Sequence, residues 1–489
     1  MKAIHFCTNE EFERIISYTR DASTGKVSSE FISKCQYEEL SPVIFNKQSI
    51  FDDKTKGTIE RDSKLVDEVL ANPAEALASG KITPLDDKAM GALVGMAVAD
   101  AMGHRFEFMP AVYDTIQLRD MGTGPGGSFR LQPGQWTDDA SMGLCIADSL
   151  LRHNGELDCH DLMHRFISWW SCGYNNAFRY DKHMRTSVGL GGNISMSFDY
   201  YLWNPVEHTQ AGDKNTSGNG SVMRNAPVPV CFHANMDRGL EVAAEQSAVT
   251  HQGTEAAECC RLLTYITIRL LNGEDMKTVL DSIGNGFVTK DEKIEEERKC
   301  EKVNVKRGEE ENKEESKDKT EVEVEKEEEI SEEKKEEVTD KKAVKDFYTE
   351  VKSVRALALG EIEKDAQGNE LPDRDWRWKR PVYHYCESRR RANPGYIGSY
   401  AMDAMAMALH VLYTTNSFEE AVIKVVNMRG DADSVGSVVA QMAGAFYGLS
   451  KIPKEWVDTL ATWDHHEIAL RGYMLAHLFD DSPSRSSLN

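Results

Sequence analysis

Two short clusters of oxygen-bearing side chains carry the strongest chemical signal in the sequence. Each cluster directly precedes an apolar helical pattern and supplies one hydroxyl and two carboxylates. The six residues are Thr137, Asp138, Asp139, Asp431, Asp433 and Ser434. Such side chains can cap a helix, because they accept hydrogen bonds from its first free N–H groups and their negative charge suits the helix dipole. Six oxygen ligands facing one another would instead suit a hard divalent cation.

The composition of the clusters favours metal binding over capping. A cap needs one side chain and at most one further acid, whereas each cluster contains three candidate ligands. The hydroxyl precedes the two acids in the first cluster and follows them in the second. Neither cluster contains Cys or His, which points to Mg²⁺ or Mn²⁺ rather than zinc. Two such ions can orient hydroxyls, activate water and neutralise developing charge, and four aspartates would hold that much positive charge. Capping remains the alternative for either cluster alone.

A glycine-rich loop between the two clusters has the composition of a phosphate-binding turn. Its residues are Gly218, Asn219 and Gly220. Without a Cβ, glycine lets backbone N–H groups approach phosphate oxygens closely, although a plain tight turn needs the same residues. A second glycine-rich segment, residues 189–193, is assigned no role beyond loop flexibility.

The elements that must position these residues are helices. From residue 86 onward the apolar residues recur with a helical period, and convincing period-two strands are absent. The predicted helices cover residues 89–102, 140–151, 162–170, 240–250, 255–271, 400–412, 418–428, 435–447 and 467–478. The sequence therefore predicts an all-α, compact multi-helical body.

Small residues line two of these helices at a spacing of three or four. They are Gly91, Gly95, Ala99 and Gly103 in one helix, and Gly436, Ala440, Ala443 and Gly444 in the other. Small side chains let helix backbones approach closely, as they do in membrane dimers. Asp100 interrupts one stretch and Asp433 precedes the other, so close packing in a soluble core is the better interpretation.

Composition divides the chain into segments. Residues 290–345 contain 23 acidic and 16 basic side chains, a net charge of 16 − 23 = −7, and few large apolar residues. This segment is predicted to be a disordered charged insertion, or else a solvated single helix, because it cannot bury enough surface to offset its ordering entropy. The predicted divisions are an accessory region 1–85, a catalytic domain in two parts, 86–289 and 346–481, the insertion 290–345 and a tail 482–489.

The overall charge disfavours several classes of partner. A formal net charge of −23 repels phosphate backbones and anionic membrane surfaces, so nucleic acid and membranes are not expected partners. The ten cysteines include no CxxC pair, and no apolar run is long enough to cross a membrane. A soluble, monomeric, cytoplasmic protein with reduced thiols is expected, and a nuclear fraction stays open.

Six motifs together resemble the ADP-ribosylglycohydrolase family, and they occur in the family's order. They are the small-residue helix that runs into Asp100, Trp-Thr-Asp-Asp at 136–139, Gly-Asn-Gly-x-x-Met-Arg at 218–224, Thr-His at 250–251, Gly-Tyr-Ile at 395–397 and Gly-Asp-Ala-Asp-Ser at 430–434. Two departures are Ala99, where the family usually has Gly, and Ser434, where many members have Thr. Neither change removes a ligand oxygen.

The resemblance implies roles for individual residues. It implies two Mg²⁺ ions, with Mn²⁺ as a substitute, held by Thr137, Asp138, Asp139, Asp431, Asp433 and Ser434. It implies substrate contacts from Gly218, Asn219, Gly220, His251 and Tyr396. Asp139 or Glu107 is the expected acid/base. Three of these residues have alternative roles. Glu107 could be a surface acid, His251 could be structural, and Tyr396 could simply pack against its neighbours.

The function implied is a magnesium-dependent hydrolase that cleaves the C1″ glycosidic bond of ADP-ribose, reversing ADP-ribosylation. The attached group would be a protein side chain or a small molecule, and nothing in the sequence separates arginine, serine and small-molecule linkages. A non-catalytic ADP-ribose binder or a crystallin-like structural relative is the alternative. A binder can lose ligands freely, whereas all six oxygen ligands remain here.

Overall fold

The structure is a computed structural model, and it describes residues 53–178, 181, 187–288 and 347–480. Its helices are α1 (Asp53–Ala71), α2 (Pro73–Ala78), α3 (Pro84–Gly103), α4 (Asp138–Arg152), α5 (Cys159–Cys172), α6 (Gly192–Trp203), α7 (Pro227–Cys231), α8 (Met236–Ala248), α9 (Thr254–Leu271), α10 (Met276–Gly286), α11 (Lys352–Leu359), α12 (Glu387–Ala392), α13 (Ala401–Tyr413), α14 (Phe418–Val426), α15 (Ala432–Tyr447), α16 (Lys454–Asp464) and α17 (Glu467–Ala476). The prediction of an all-α body is confirmed, and every helix predicted from residue 86 onward is present.

Two short strand pairs were not predicted. Strand β1 (Phe287–Val288) pairs in parallel with β2 (Phe347–Tyr348), and β3 (Ile362–Lys364) pairs antiparallel with β4 (Glu370–Asp375). They escape prediction because the first pair is only two residues long and the second is rich in charged residues without apolar alternation. The β1–β2 pair joins the two parts of the helical body.

Several predicted segments lie outside the described residues. They are residues 1–52 of the accessory region, the charged insertion 290–345 and the tail 482–489. The assignments made for them stay predictions. The described part of the accessory region forms α1 and α2, separated at Asn72, which caps α2 through its side chain.

Helices α3 and α15 form the centre of the molecule and cross in close antiparallel contact. A Cβ added at Gly91 would lie 2.6 Å from the Gly444 carbonyl oxygen, and one added at Gly103 would lie 2.4 Å from the Asp433 Cα. Only glycine permits such an approach of two backbones. The close packing predicted for the small-residue stripes is confirmed, and it places the C-terminal end of α3 beside the N-terminal end of α15.

Almost every residue of α3 is buried, which explains why the helix carries apolar and small residues around its whole circumference. It begins with a capping box in which Thr83 and Asp86 each accept a hydrogen bond from the other's backbone N–H, with Pro84 in the first turn. Among the described helices, none combines the length and the apolarity that a membrane crossing requires.

Candidate metal and substrate site

Asp100, near the end of α3, caps helix α4 from outside. Its Oδ1 accepts hydrogen bonds from the backbone N–H and the hydroxyl of Thr137, both at 2.8 Å. Its Oδ2 accepts a bond of 2.9 Å from the backbone N–H of Ala140. Thr137, at the N-cap position, makes no side-chain capping bond of its own. The capping interpretation of the first cluster is therefore wrong, because Asp100 leaves the carboxylates of Asp138 and Asp139 available.

Helix α15 also starts without a side-chain cap from its N-cap residue, Asp431. The Asp431 Oδ2 instead accepts a hydrogen bond of 2.9 Å from the side-chain amide of Asn219. Asp433, in the first turn of the helix, accepts a 3.0 Å bond from the backbone N–H of Ser434. The second cluster thus makes local bonds of the kind seen at helix starts, through Ser434, while its two carboxylates keep further lone pairs free.

Glu107 reaches the second cluster because its loop pairs with Gly430. The Phe108 N–H donates to the Gly430 carbonyl oxygen at 3.0 Å, and the Gly430 N–H donates to the Met109 carbonyl oxygen at 2.9 Å. Gly430 has a φ of +69°, which favours glycine. The alternative of a surface acid at Glu107 is wrong, because one of its carboxylate oxygens is buried without a hydrogen-bond partner.

The site concentrates buried negative charge. Its carboxylates belong to Asp100, Glu107, Asp138, Asp139, Asp431 and Asp433, and within the described residues none of them forms an ion pair with Lys or Arg. Asp139 is fully buried, and neither of its carboxylate oxygens has a hydrogen-bond partner. Burying unpaired carboxylates is costly, so the cluster requires either bound protons or a cation.

Burial raises the pKa of every carboxyl group in the cluster, and the charges of neighbouring carboxylates raise it further for Glu107, Asp138, Asp139 and Asp433. For Asp139, burial has the largest effect on the pKa, followed by the charges of Asp100 and Asp433. For Glu107, burial again dominates the raised pKa, followed by the charges of Asp433 and Asp431. Burial raises the pKa of Asp100 to about 6, against the lowering effect of its three hydrogen bonds.

Five of the six carboxylates, all except that of Asp138, fall into two groups with the geometry of cation sites. One oxygen from each of Asp100, Asp139 and Asp433 lies within 4.8 Å of the other two. The same holds for Glu107, Asp431 and Asp433. The groups share Asp433, and their all-oxygen chemistry fits Mg²⁺ or Mn²⁺. The unpartnered oxygens of Asp139 and Glu107 are available to such ions.

A cavity of about 880 Å³ opens above the carboxylates. Most of the predicted site residues line it, namely Glu107, Asp138, Gly218, Asn219, Gly220, His251, Tyr396, Asp431 and Ser434. Thr137, Asp139 and Asp433 are buried and do not contribute to its lining. The structure therefore brings the two clusters and the glycine loop together in a cavity large enough for a nucleotide-sized ligand.

The glycine loop is held against the segment that carries Tyr396. The Asn219 N–H donates to the Ser399 carbonyl oxygen at 2.8 Å, so this N–H is not free for a phosphate. Gly220 allows close packing of His251, whose Nε2 would lie 3.1 Å from a Cβ at that position. Burial lowers the pKa of His251 to about 3, so its imidazole is neutral at physiological pH.

Tyr396 lies at the mouth of the cavity and keeps 58% of its surface exposed. Its ring centroid lies 5.1 Å from that of Phe108, which is also exposed. Gly395 makes this contact possible, because a Cβ there would lie 2.4 Å from the Phe108 carbonyl oxygen. An aromatic pair that borders a cavity and remains exposed offers a stacking surface to a flat ligand.

Sequence reasoning missed three contributors to the site. From the sequence, Asp100 was identified as a family motif residue and as an interruption of an apolar helix, but it was assigned no role in the site, although an acid inside such a helix is itself a signal of a buried polar role. Phe108 gave no signal. The segment 189–193 does more than provide flexibility, because a Cβ at Gly189 would lie 2.1 Å from the Asp138 Oδ1. This glycine is needed where the loop passes over the carboxylate.

Comparison with known proteins agrees with this geometry. Residues 82–484 match the family model described as ADP-ribosylglycohydrolase. The ADP-ribosylarginine hydrolase Tri1 of Pseudomonas putida is 26% identical over 403 residues, covering 82% of this chain and 81% of that protein. The ADP-ribosyl-dinitrogen reductase glycohydrolase of Rhodospirillum rubrum is 23% identical, covering 76% of this chain and 90% of that protein.

A solved structure supports the same assignment. It is described as an ADP-ribosylglycohydrolase-related protein complex, is 25% identical, and superposes with a TM-score of 0.51 over 81% of this chain and 100% of its own. Because the family model spans most of the sequence, the chain belongs to the ADP-ribosylglycohydrolase family and is a glycosidase that acts on ADP-ribosylated substrates.

Proposed function

We propose that this chain is a hydrolase dependent on two Mg²⁺ or Mn²⁺ ions that cleaves the C1″ glycosidic bond of ADP-ribose attached to a protein side chain or a small molecule. The observation that carries the proposal is the buried, unpaired carboxylate cluster below a cavity of about 880 Å³. Asp139, with both oxygens unpartnered, is its clearest member. A cytoplasmic location is part of the proposal.

Different residues of the cavity would bind the metal ions and the adenine ring. The carboxylates of Asp138, Asp431 and the buried Asp139 and Asp433 would hold the ions, with Thr137 and Ser434 as hydroxyl ligands. When bound, divalent ions orient hydroxyl groups and neutralise charge that develops during bond cleavage. Tyr396 and Phe108 border the cavity and provide an exposed aromatic surface on which an adenine ring can stack.

Cleavage at an anomeric carbon passes through an oxocarbenium-like state and needs a group that moves a proton. Glu107 has the geometry for this role, because it lines the cavity beside Asp431 and Asp433. When it carries a proton, a carboxyl group at this position can donate it to a departing group. Asp139 is the second candidate, although its complete burial suits a metal ligand better.

The test is a panel of substrates. Purified protein would be incubated with arginine-linked, serine-linked and small-molecule-linked ADP-ribose, with Mg²⁺ or with EDTA, and free ADP-ribose would be measured. We expect release from at least one linkage with Mg²⁺, its loss with EDTA and its return with Mg²⁺ or Mn²⁺. Binding of ADP-ribose without release from any linkage would identify a binder, and full turnover without metal would refute the metal dependence.

A further inference from the structure

Asn219 connects the glycine loop to the metal-ligand cluster through its side chain. Its Nδ2 donates to the Asp431 Oδ2 at 2.9 Å and to the Gly398 carbonyl oxygen at 3.1 Å. The residue is only 5% exposed. An asparagine amide nitrogen carries two hydrogens, and both are used in these two bonds. No side-chain N–H of Asn219 therefore remains to bind a substrate.

The bond to Asp431 limits how its carboxylate can turn. Asp431 is also held through its backbone, because its N–H donates to the Ile397 carbonyl oxygen at 2.9 Å. With the backbone and one carboxylate oxygen fixed, the remaining lone pairs of Asp431 have a defined direction beside Glu107 and Asp433. A cation site depends on such outer hydrogen bonds, since they orient the ligands before the ion arrives.

The loop around Asn219 is itself held in place. The Asn219 N–H donates to the Ser399 carbonyl oxygen at 2.8 Å, and the Ala401 N–H donates to the Ser217 carbonyl oxygen at 3.0 Å. The loop and the segment that follows Tyr396 are therefore joined by backbone hydrogen bonds, and the loop contacts the carboxylate of Asp431 through the Asn219 side chain. A change in the loop is transmitted to Asp431 through the Asn219 amide.

We propose that Asn219 is a positioning residue that orients Asp431 for the cation, rather than a residue that binds substrate through its side-chain N–H groups. The inference rests on the proposed function, because it assumes that Asp431 is a metal ligand. It assigns the side-chain coupling between the substrate loop and the metal centre to the hydrogen bond between Asn219 and Asp431. Occupation of the loop would then change the affinity for metal, and metal would change the affinity for substrate to the same extent.

The experiment measures metal binding without turnover. Isothermal titration of the full-length, substrate-free protein with Mn²⁺ would compare wild type, Asn219→Ala and a control, Asn193→Ala. Asn193 lines the same cavity and donates to the Thr250 carbonyl oxygen at 2.6 Å, which is a backbone atom outside the carboxylate cluster. We expect Asn219→Ala to weaken Mn²⁺ binding about 10- to 100-fold, the usual effect of losing an outer-shell partner, and Asn193→Ala to leave it unchanged.

Other outcomes overturn the inference in distinguishable ways. Unchanged Mn²⁺ affinity in Asn219→Ala, with a raised KM, would show that Asn219 binds substrate directly. If the wild type itself binds no Mn²⁺, the metal part of the proposed function fails together with this inference. If Asn219→Ala does not fold, Asn219→Ser provides the same comparison, because its shorter side chain cannot span the distance to Asp431.

Discussion

At the scale of single residues, the site is defined by carboxylates that lack partners. A structural aspartate at a helix end satisfies its oxygens locally, as Asp275 does by accepting a hydrogen bond from the Thr278 N–H at the start of α10. Asp139 makes no such bond, although it lies in the first turn of α4. The same residue type therefore serves two different purposes in this chain, and only the surroundings distinguish them.

This difference gives the first prediction. Asp139→Asn and Asp433→Asn should each lower turnover by orders of magnitude while the protein stays folded, because asparagine keeps the shape but removes a charge that holds the ion. Turnover and circular dichroism would be measured at saturating Mg²⁺. Asp275→Asn is the matched control, which should cost at most about 1 kcal/mol of unfolding free energy and preserve activity. Near-normal turnover in both site variants would contradict the ligand assignment.

At the scale of elements, the contact between α3 and α15 sets the distance between the two halves of the site. Asp100 and Glu107 lie at or after the end of α3, whereas Asp431 and Asp433 lie at the start of α15. The separation of these helices is determined by glycines at the crossing. Packing of small residues is thus a requirement of the site as well as of the core.

The second prediction concerns two glycines of α15. A Cβ at Gly444 would lie 2.0 Å from the Gly91 carbonyl oxygen, so Gly444→Ala must push the helices apart and should destabilise the fold by about 1–3 kcal/mol. The nearest atom to a Cβ at Gly436 is 3.4 Å away, so Gly436→Ala should be neutral or add up to about 1 kcal/mol through helix propensity. Denaturant unfolding of both variants would be compared, and equal effects would contradict the packing argument.

At the scale of the whole molecule, the buried carboxylates tie stability to metal and pH. A carboxyl group whose pKa is raised in the folded state holds its proton more tightly there than in the unfolded chain. The metal-free folded state therefore loses stability as the pH rises from the unfolded pKa of Asp100, 3.8, through its folded pKa of about 6. The other raised groups of the cluster extend this loss to higher pH.

The third prediction follows from competition between protons and metal. The stabilisation produced by Mg²⁺ should be small at pH 5 and increase through pH 6 to pH 7.5, reaching about 2.7 kcal/mol at a concentration 100 times the Kd. Melting temperatures would be measured with Mg²⁺ and with EDTA at each pH. Buried histidines with a lowered pKa, such as His104 and His410, affect both samples in the same direction, so the difference isolates the site. A difference that does not change with pH would contradict the assignment.

Much of this architecture was predictable because its signals are local. Helical periodicity, the small residues at 91–103 and 436–444, and the two oxygen-rich clusters each occupy one continuous stretch of sequence. Regular spacing within one stretch is enough to identify a buried helix face, and residue chemistry is enough to suggest a cation. Short helices such as α7 and α12 were missed, because five or six residues hold too little periodicity to recognise.

The contacts that complete the site were decided only by the tertiary structure. The bond between Asn219 and Asp431 joins residues 212 positions apart, and Asp100 meets Thr137 across 37 positions. Hydrogen bonds of this kind depend on where whole helices cross, which no local pattern encodes. Sequence alone therefore determined which residue types were available for metal and ADP-ribose chemistry. The tertiary structure decided that Asp100 caps α4 and that Glu107 is partly buried beside the clusters. It also decided that the carboxylates of both clusters meet below one cavity.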